Sequence, residues 1–319
     1  MSILVTGGAG FIGSHVVERL VSETAEKVVV LDNFNSDYDP RLKQQNVARW
    51  AEDARIVVVT GDVGDAARIG PLLLEHDVRR IVHLAGSPGV RESVNDPRRY
   101  FENNVLATLT LLEAMRTLPI ERMLYASSST VYGRGAPIPF AEDGPLGVPL
   151  SPYGASKRAA EILALTYHGL HHSPVCVLRL FNVYGPRLRP ELALSIFTSA
   201  VLKGESLPLF GDGSVRRDFA HVSDVSRGIV AALFAEGVDG ETINLGQDRP
   251  VTVARVIELI AEAAGVPAVI DRRAARPEEM PVTCADIAKA RRLLNYEPRM
   301  SIEEGVADFV RWYRATHGL

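Results

Sequence analysis

The chain has 319 residues, 46% of them hydrophobic and 23% charged, with a formal net charge of −4; such figures suit a globular protein with a sizeable core in one large or two moderate domains. No long basic run is present, so nothing points to a nucleic-acid partner, and an anionic ligand has to be held by individual arginines rather than by a global field. No apolar run approaches membrane-spanning length, the first strand begins at Ile3, and Cys176 and Cys284 stand too far apart for a metal knuckle; the expectation is a cytoplasmic protein without a leader, a metal or a membrane partner.

Short apolar runs at 3–6, 28–31, 56–60, 81–84, 123–127 and 175–180 read as strands. They lack in-out alternation, which predicts burial on both faces in a parallel sheet. Helical patterns such as "GSHVVERLVSE" and "NNVLATLTLLEAMRTL" lie between them, and the alternation predicts an α/β fold built on a doubly wound, Rossmann-type parallel sheet. After about residue 185 the texture turns rich in Gly, Pro and Arg, with helices expected near 192–203, 223–236, 253–265 and from 301, and a strand at "ETINLG". The expected division is a dinucleotide-binding domain over 1–180 and a smaller C-terminal substrate-binding α/β domain over 181–319, with some segments returning to the first sheet.

The first strand runs directly into Gly7, Gly10 and Gly13, spaced G-x-x-G-x-x-G, and then into a helix. Glycines permit a tight turn and close approach of a pyrophosphate to a helix N-terminus. Asp32 ends the next strand, nineteen residues after Gly13. A carboxylate there accepts hydrogen bonds from ribose hydroxyls and repels a 2′-phosphate, which favours NAD over NADP. Asp62, in "GDV", is placed either to reach the adenine or to cap the following helix.

Tyr153 stands four residues before Lys157 in "SPYGASKRAAEIL", a spacing that puts phenol and ammonium on one helix face. An ammonium beside a phenol favours the phenolate, so a lowered Tyr153 pKa and a base role are expected; the alternative is a surface pair on an amphipathic helix.

Taken with "HLAG" at 83–86 and "SSSTVYG" at 127–133, these motifs resemble the extended short-chain dehydrogenase/reductases, specifically the NAD-dependent nucleotide-sugar epimerases and dehydratases, over essentially the whole chain. The resemblance implies Tyr153 as general base, Lys157 as a ligand of the nicotinamide ribose, and Ser128 as a hydrogen-bond partner of the reacting sugar oxygen. It further implies a cofactor lining of Phe11, Ile12, Asn33, Val63, Leu84, Ala85, Asn103 and Phe181, and a substrate side of Arg91, Ser129, Thr130, Asn182, Arg189, Arg217, Arg276 and Glu279. Relatives that dehydrate or decarboxylate their sugar carry an acid where this chain has Ser129-Thr130, so the resemblance implies a 4-epimerase. Tyr153 then takes the 4-hydroxyl proton as hydride leaves C4 for NAD, and after the keto-sugar turns, hydride returns to its other face. "DNFNSDYDPRLK" and "SPGVRESV" are similar to stretches of UDP-glucuronate 4-epimerases, whereas Asn182 stands where those enzymes tend to carry Thr. The expected substrate is therefore UDP-glucuronate, with UDP-glucose or UDP-N-acetylglucosamine as the alternative, and a decarboxylase, a dehydratase or a non-catalytic dinucleotide-binding protein as further rivals. The apolar stripes of 103–118 and of the helix after Tyr153 imply a homodimer, unless each packs on its own sheet.

Overall fold

In the computed structural model, which describes residues 1–275 and 280–319, a seven-stranded parallel sheet forms the centre of the molecule. Its first six strands are β1 (Ser2–Thr6), β2 (Lys27–Asp32), β3 (Ile56–Thr60), β4 (Val78–His83), β5 (Arg122–Ser128) and β6 (Val175–Leu180). They are ordered β3-β2-β1-β4-β5-β6, and the strand Thr242–Leu245 adds itself outside β6. Side chains on alternate positions feed two separate cores. Ile3, Val5, Val28 and Val30 join one, and Leu4, Val29 and Leu31 join the other. This two-sided burial is why these strands read as unbroken apolar runs.

The strand β3 departs from that rule. It is the sheet edge, and Val57 and Val58 are exposed, so its apolar sequence does not reflect burial on both faces. "NNVLATLTLLEAMRTL" is likewise not one helix. A π-helical turn over Glu102–Leu106 precedes the α-helix Ala107–Met115, and it follows the short helix Pro97–Phe101.

Beyond residue 181, helices at Ala193–Lys203, Val222–Phe234, Val253–Ala264 and Ile302–His317 match the helical patterns of the sequence. Three two-stranded sheets that carry no clear periodicity of their own lie among them. A third core gathers Leu194, Phe197, Leu207, Val256, Ile260 and Phe309 beside Phe11. The sheet order reverses between β1 and β4, and in such sheets a crevice opens at the carboxyl ends of those two strands.

Candidate active site

Gly7 leaves β1 with φ +67°, and a Cβ on it would stand 2.8 Å from the amide nitrogen of Ala85, just beyond β4. A Cβ on Gly13 would stand 2.3 Å from the Gly7 carbonyl oxygen, well short of contact distance. Only glycine lets the turn fold this tightly onto helix α1 (Phe11–Glu23). Gly10 is the N-cap and supplies no side-chain cap, so the first amides of α1 are left for another acceptor. The two strand ends are tied together: Leu84 N donates to Thr6 O at 3.1 Å, and Ala85 N to Thr6 Oγ1 at 3.2 Å.

A cleft of about 730 Å³ opens over this turn, a size that suits a cofactor with its substrate. Gly7, Gly10, Phe11, Ile12, Gly13, Leu84, Ala85, Asn103 and Phe181 line it. Asp32, Asn33, Asp62 and Val63 lie at one end. Asp32 is buried; its Oδ1 accepts from Phe34 N at 2.9 Å and from Lys43 Nζ at 3.4 Å. Among the described residues its Oδ2 has no hydrogen-bond partner. Asp62 is not a helix N-cap, for Asp65 holds that position. Its carboxylate instead accepts from Gly64 N and Asn33 Nδ2, both at 2.8 Å. A glycine cradle that a single Cβ would fill, uncapped helix amides and an open carboxylate oxygen together fit a dinucleotide.

At the centre of the cleft, Ser151 caps the helix Pro152–His171 by accepting from Gly154 N at 3.1 Å. This fixes Tyr153 in the first turn and Lys157 one turn later, and both side chains line the cleft. Ser128, at the end of β5, faces the Tyr153 phenol. Its Oγ accepts from Thr130 N at 3.2 Å and from Thr130 Oγ1 at 3.0 Å, so it caps the short Ser129–Val131 turn while presenting itself to the tyrosine.

The expected lowering of Tyr153 by Lys157 is not what the structure holds. The ring keeps some surface open to the cleft, yet burial of the phenol raises its pKa, opposed by the Ser128 hydroxyl and the charge of Arg189. Lys157 engages the end of β5: its Nζ donates to Ala126 O at 2.9 Å and stands 5.0 Å from the Tyr125 ring centre. Burial pulls its pKa down to about 8, and Glu161 counteracts part of that.

Arg91, Ser129, Thr130, Asn182, Arg189 and Arg217 also line the cleft. Arg189 pairs with Glu191 at 3.2 Å, and Arg217 Nη1 donates to Met280 O at 2.7 Å. Asn182 is exposed and begins the short strand Asn182–Tyr184. Arg276 and Glu279 lie outside the described residues.

Two cleft residues, Lys43 and Phe210, and the buried Asn104 escape sequence reasoning. Lys43 lies buried beside Asp32, and only its place in "DPRLK" hints at it. The Phe210 ring lines the cleft between the guanidinium groups of Arg91 and Arg273, each 5.9 Å from its centre. Asn104, buried in the π-helical turn, accepts from Ser87 N at 2.8 Å and donates to Ser87 O at 3.0 Å and Ser156 Oγ at 2.9 Å. It thereby clamps the cleft loop to the helix that carries Tyr153. The sequence shows the asparagine pair 103–104, and the π-helical turn buries Asn104 of the two.

The described residues contain no cluster of His, Cys, Asp and Glu able to hold a metal, and no helix long and apolar enough to cross a membrane.

Known proteins agree with this architecture. Residues 4–309 match the family model described as GDP-mannose 4,6 dehydratase. A UDP-glucuronate 4-epimerase from Thermodesulfobacterium geofontis is 36% identical over 310 residues, covering 97% of this chain and 95% of that protein. The crystal structure of UDP-glucuronic acid 4-epimerase from Bacillus cereus, in complex with UDP-glucuronic acid and NAD, superposes with a TM-score of 0.93 at 36% identity, covering 99% of this chain and 100% of that one. A dTDP-glucose 4,6-dehydratase from Streptomyces venezuelae with NAD bound reaches a TM-score of 0.92 at 34% identity, covering 100% and 98%. The fold is thus one shared with these enzymes, and the chain belongs to the GDP-mannose 4,6-dehydratase family of extended short-chain dehydrogenase/reductases.

Proposed function

We propose that the chain is an NAD-dependent UDP-sugar 4-epimerase that interconverts UDP-glucuronate and UDP-galacturonate. The chain uses NAD, as its neighbours from Bacillus cereus and Streptomyces venezuelae do. In this reading residues 1–180 form the dinucleotide-binding domain and residues 181–319 the nucleotide-sugar-binding domain, with the strand Thr242–Leu245 returning to the first sheet.

One observation carries the choice of chemistry: beside Ser128 and Tyr153 the turn Ser129–Val131 offers hydroxyls and no carboxyl. Loss of water from the sugar needs an acid to protonate the departing hydroxyl. With none at this turn, the keto-sugar has reduction as its outlet, and the net reaction is inversion. Tyr153 accepts the proton of the C4 hydroxyl, and Ser128 donates a hydrogen bond to the same oxygen. NAD, when bound, supplies the hydride acceptor and then the donor. Lys157 binds the nicotinamide ribose with an ammonium kept charged below about pH 8.

A 4-keto-uronate is a β-keto acid and loses CO2 readily, so an epimerase must hold its carboxylate still. Arg189 supports the uronate reading: Glu191 engages one terminal nitrogen, which leaves further guanidinium donors for a carboxylate. Ser129 adds a hydroxyl from the same turn, and Arg217 and Arg91 supply cationic charge for the diphosphate.

Asn182 favours a second reading, UDP-glucose or UDP-N-acetylglucosamine as substrate, because its amide offers a neutral sugar both a donor and an acceptor at the cleft wall. Separate incubation with UDP-glucuronate, UDP-glucose and UDP-N-acetylglucosamine, without added cofactor, tests both readings. Formation of the C4 epimer of UDP-glucuronate is expected; conversion of UDP-glucose alone sinks the uronate assignment, and released CO2 or an accumulating 4-keto product sinks the epimerase.

A homodimer belongs to the same proposal. Phe101, Leu106 and Ile162 are exposed on helical segments that pack side by side, and a second copy of the chain would cover them. Free Cys176 and Cys284 support a reducing, cytoplasmic setting.

A further inference from the structure

We propose that Lys43 decides which form of the dinucleotide the cleft accepts: it holds Asp32 for a free 2′-hydroxyl, and it is the cation that pairs a 2′-phosphate once that carboxylate is removed. The inference rests on the reading that the cleft takes NAD and extends it to a residue outside the glycine turn.

Lys43 projects from the helix Pro40–Ala48 into the Asp32 end of the cleft and is only 6% exposed. Burying an ammonium is costly unless it is paired and hydrogen-bonded. Its Nζ reaches Asp32 Oδ1 at 3.4 Å and Asn35 Oδ1 at 2.8 Å, and it lies 5.3 Å from the Tyr38 ring centre. The other nearby acid, Asp37, is already answered by Arg99 at 2.8 Å and accepts from Asn35 Nδ2 at 3.2 Å. Asp32 is therefore the buried counter-charge of Lys43 among the described residues.

Two consequences follow from that pairing. Lys43 and Phe34 N both occupy Oδ1, which turns the unpartnered Oδ2 toward ribose hydroxyls. The pair is also close to neutral, so a 2′-phosphate is rejected by losing the Asp32–Lys43 contact and crowding the carboxylate, rather than by a broad negative field. Take away the carboxylate and a buried ammonium remains without a counter-charge, in a cleft wall, at the ribose end. That is an anion site.

The test compares the unaltered protein with Asp32→Asn and Asp32→Ser, each with and without Lys43→Met, and with Lys43→Met alone. Each purified protein is incubated with equal concentrations of NAD and NADP and desalted, and the retained dinucleotides are released and quantified by chromatography. Both Asp32 variants should raise the retained NADP:NAD ratio by roughly tenfold or more, and Lys43→Met should cancel that gain. Lys43→Met alone should lower retained NAD without admitting NADP. Asp32→Asn keeps the side-chain shape and an acceptor for Lys43, so it covers the case in which Asp32→Ser fails to fold. Equal NADP retention by Asp32→Asn with or without Lys43→Met overturns the assignment. If the unaltered protein retains NAD and the Lys43 effect is missing, this inference alone falls; if it retains neither dinucleotide, the cofactor reading falls and takes this one with it.

Discussion

Ser128 Oγ accepts two hydrogen bonds from one residue, Thr130, from its amide at 3.2 Å and from its hydroxyl at 3.0 Å. A serine hydroxyl has two acceptor positions and one hydrogen. With the Thr130 amide and hydroxyl both gathered on this oxygen, the serine is held in place beside Tyr153. Thr130 is thus a positioning residue for Ser128, whatever it also offers a substrate.

Thr130→Val removes the hydroxyl and keeps the shape. It should lower kcat by about 10- to 100-fold with little change in KM, and Thr130→Ser should restore most of the loss. Steady-state conversion of the UDP-sugar measures both. Wild-type kcat in Thr130→Val would mean that Ser128 is oriented by something else.

Tyr153→Phe should cost about 10²- to 10⁴-fold in turnover while leaving dinucleotide binding intact. Arg189→Gln probes the same base more gently. Arg189 pulls the raised Tyr153 pKa back down, so removing its charge moves the phenol further up. The acidic limb of the kcat–pH profile should shift to higher pH, with activity recovering as the solution becomes more alkaline. An unmoved limb would show that the limb reports another group.

Gly13→Ala places a methyl 2.3 Å from the Gly7 carbonyl oxygen, so either the turn or α1 must move. Retained NAD, quantified after denaturation, should fall by at least about tenfold. Retention equal to that of the unaltered protein would show that the turn has slack the close contact denies.

His83 carries a pH-dependent part of the stability. It is buried between the hydroxyls of Thr6 at 2.7 Å and Thr108 at 3.1 Å, and burial lowers its pKa from 6.5 to about 3. The unfolded chain therefore binds the proton that the folded one refuses, and stability present above pH 6.5 drains as pH falls toward 3. His83→Gln does not titrate. The stability difference, unaltered protein minus variant, should shrink by roughly 2 kcal/mol between pH 7 and pH 5, read from denaturant midpoints. A pH-independent difference would mean that His83 titrates normally in the folded protein.

Local order set much of this protein in advance. The glycine turn, Asp32, Ser128 and the Tyr153–Lys157 pair depend on neighbours within a few residues or one helical turn, so their spacing is readable along the chain. The six strands of 1–180 are readable for the same reason, since a parallel strand buried on both faces needs an unbroken apolar run. That logic misjudged β3, because whether a strand lies at the centre or the edge is a property of sheet order.

What the tertiary structure alone decided is how charges and polar groups from distant segments meet. Lys43 finds Asp32, Asn104 bridges Ser87 and Ser156, and Arg189 reaches the neighbourhood of Tyr153. The sign of the Tyr153 shift was decided there too. Sequence spacing shows that Lys157 shares a helix face with the tyrosine, but burial and the direction of the ammonium, which turns to Ala126 O, depend on the strand ends packed around it. Covalent neighbours constrain which backbone forms; the electrostatics of a cleft follow from which non-neighbours displace its water.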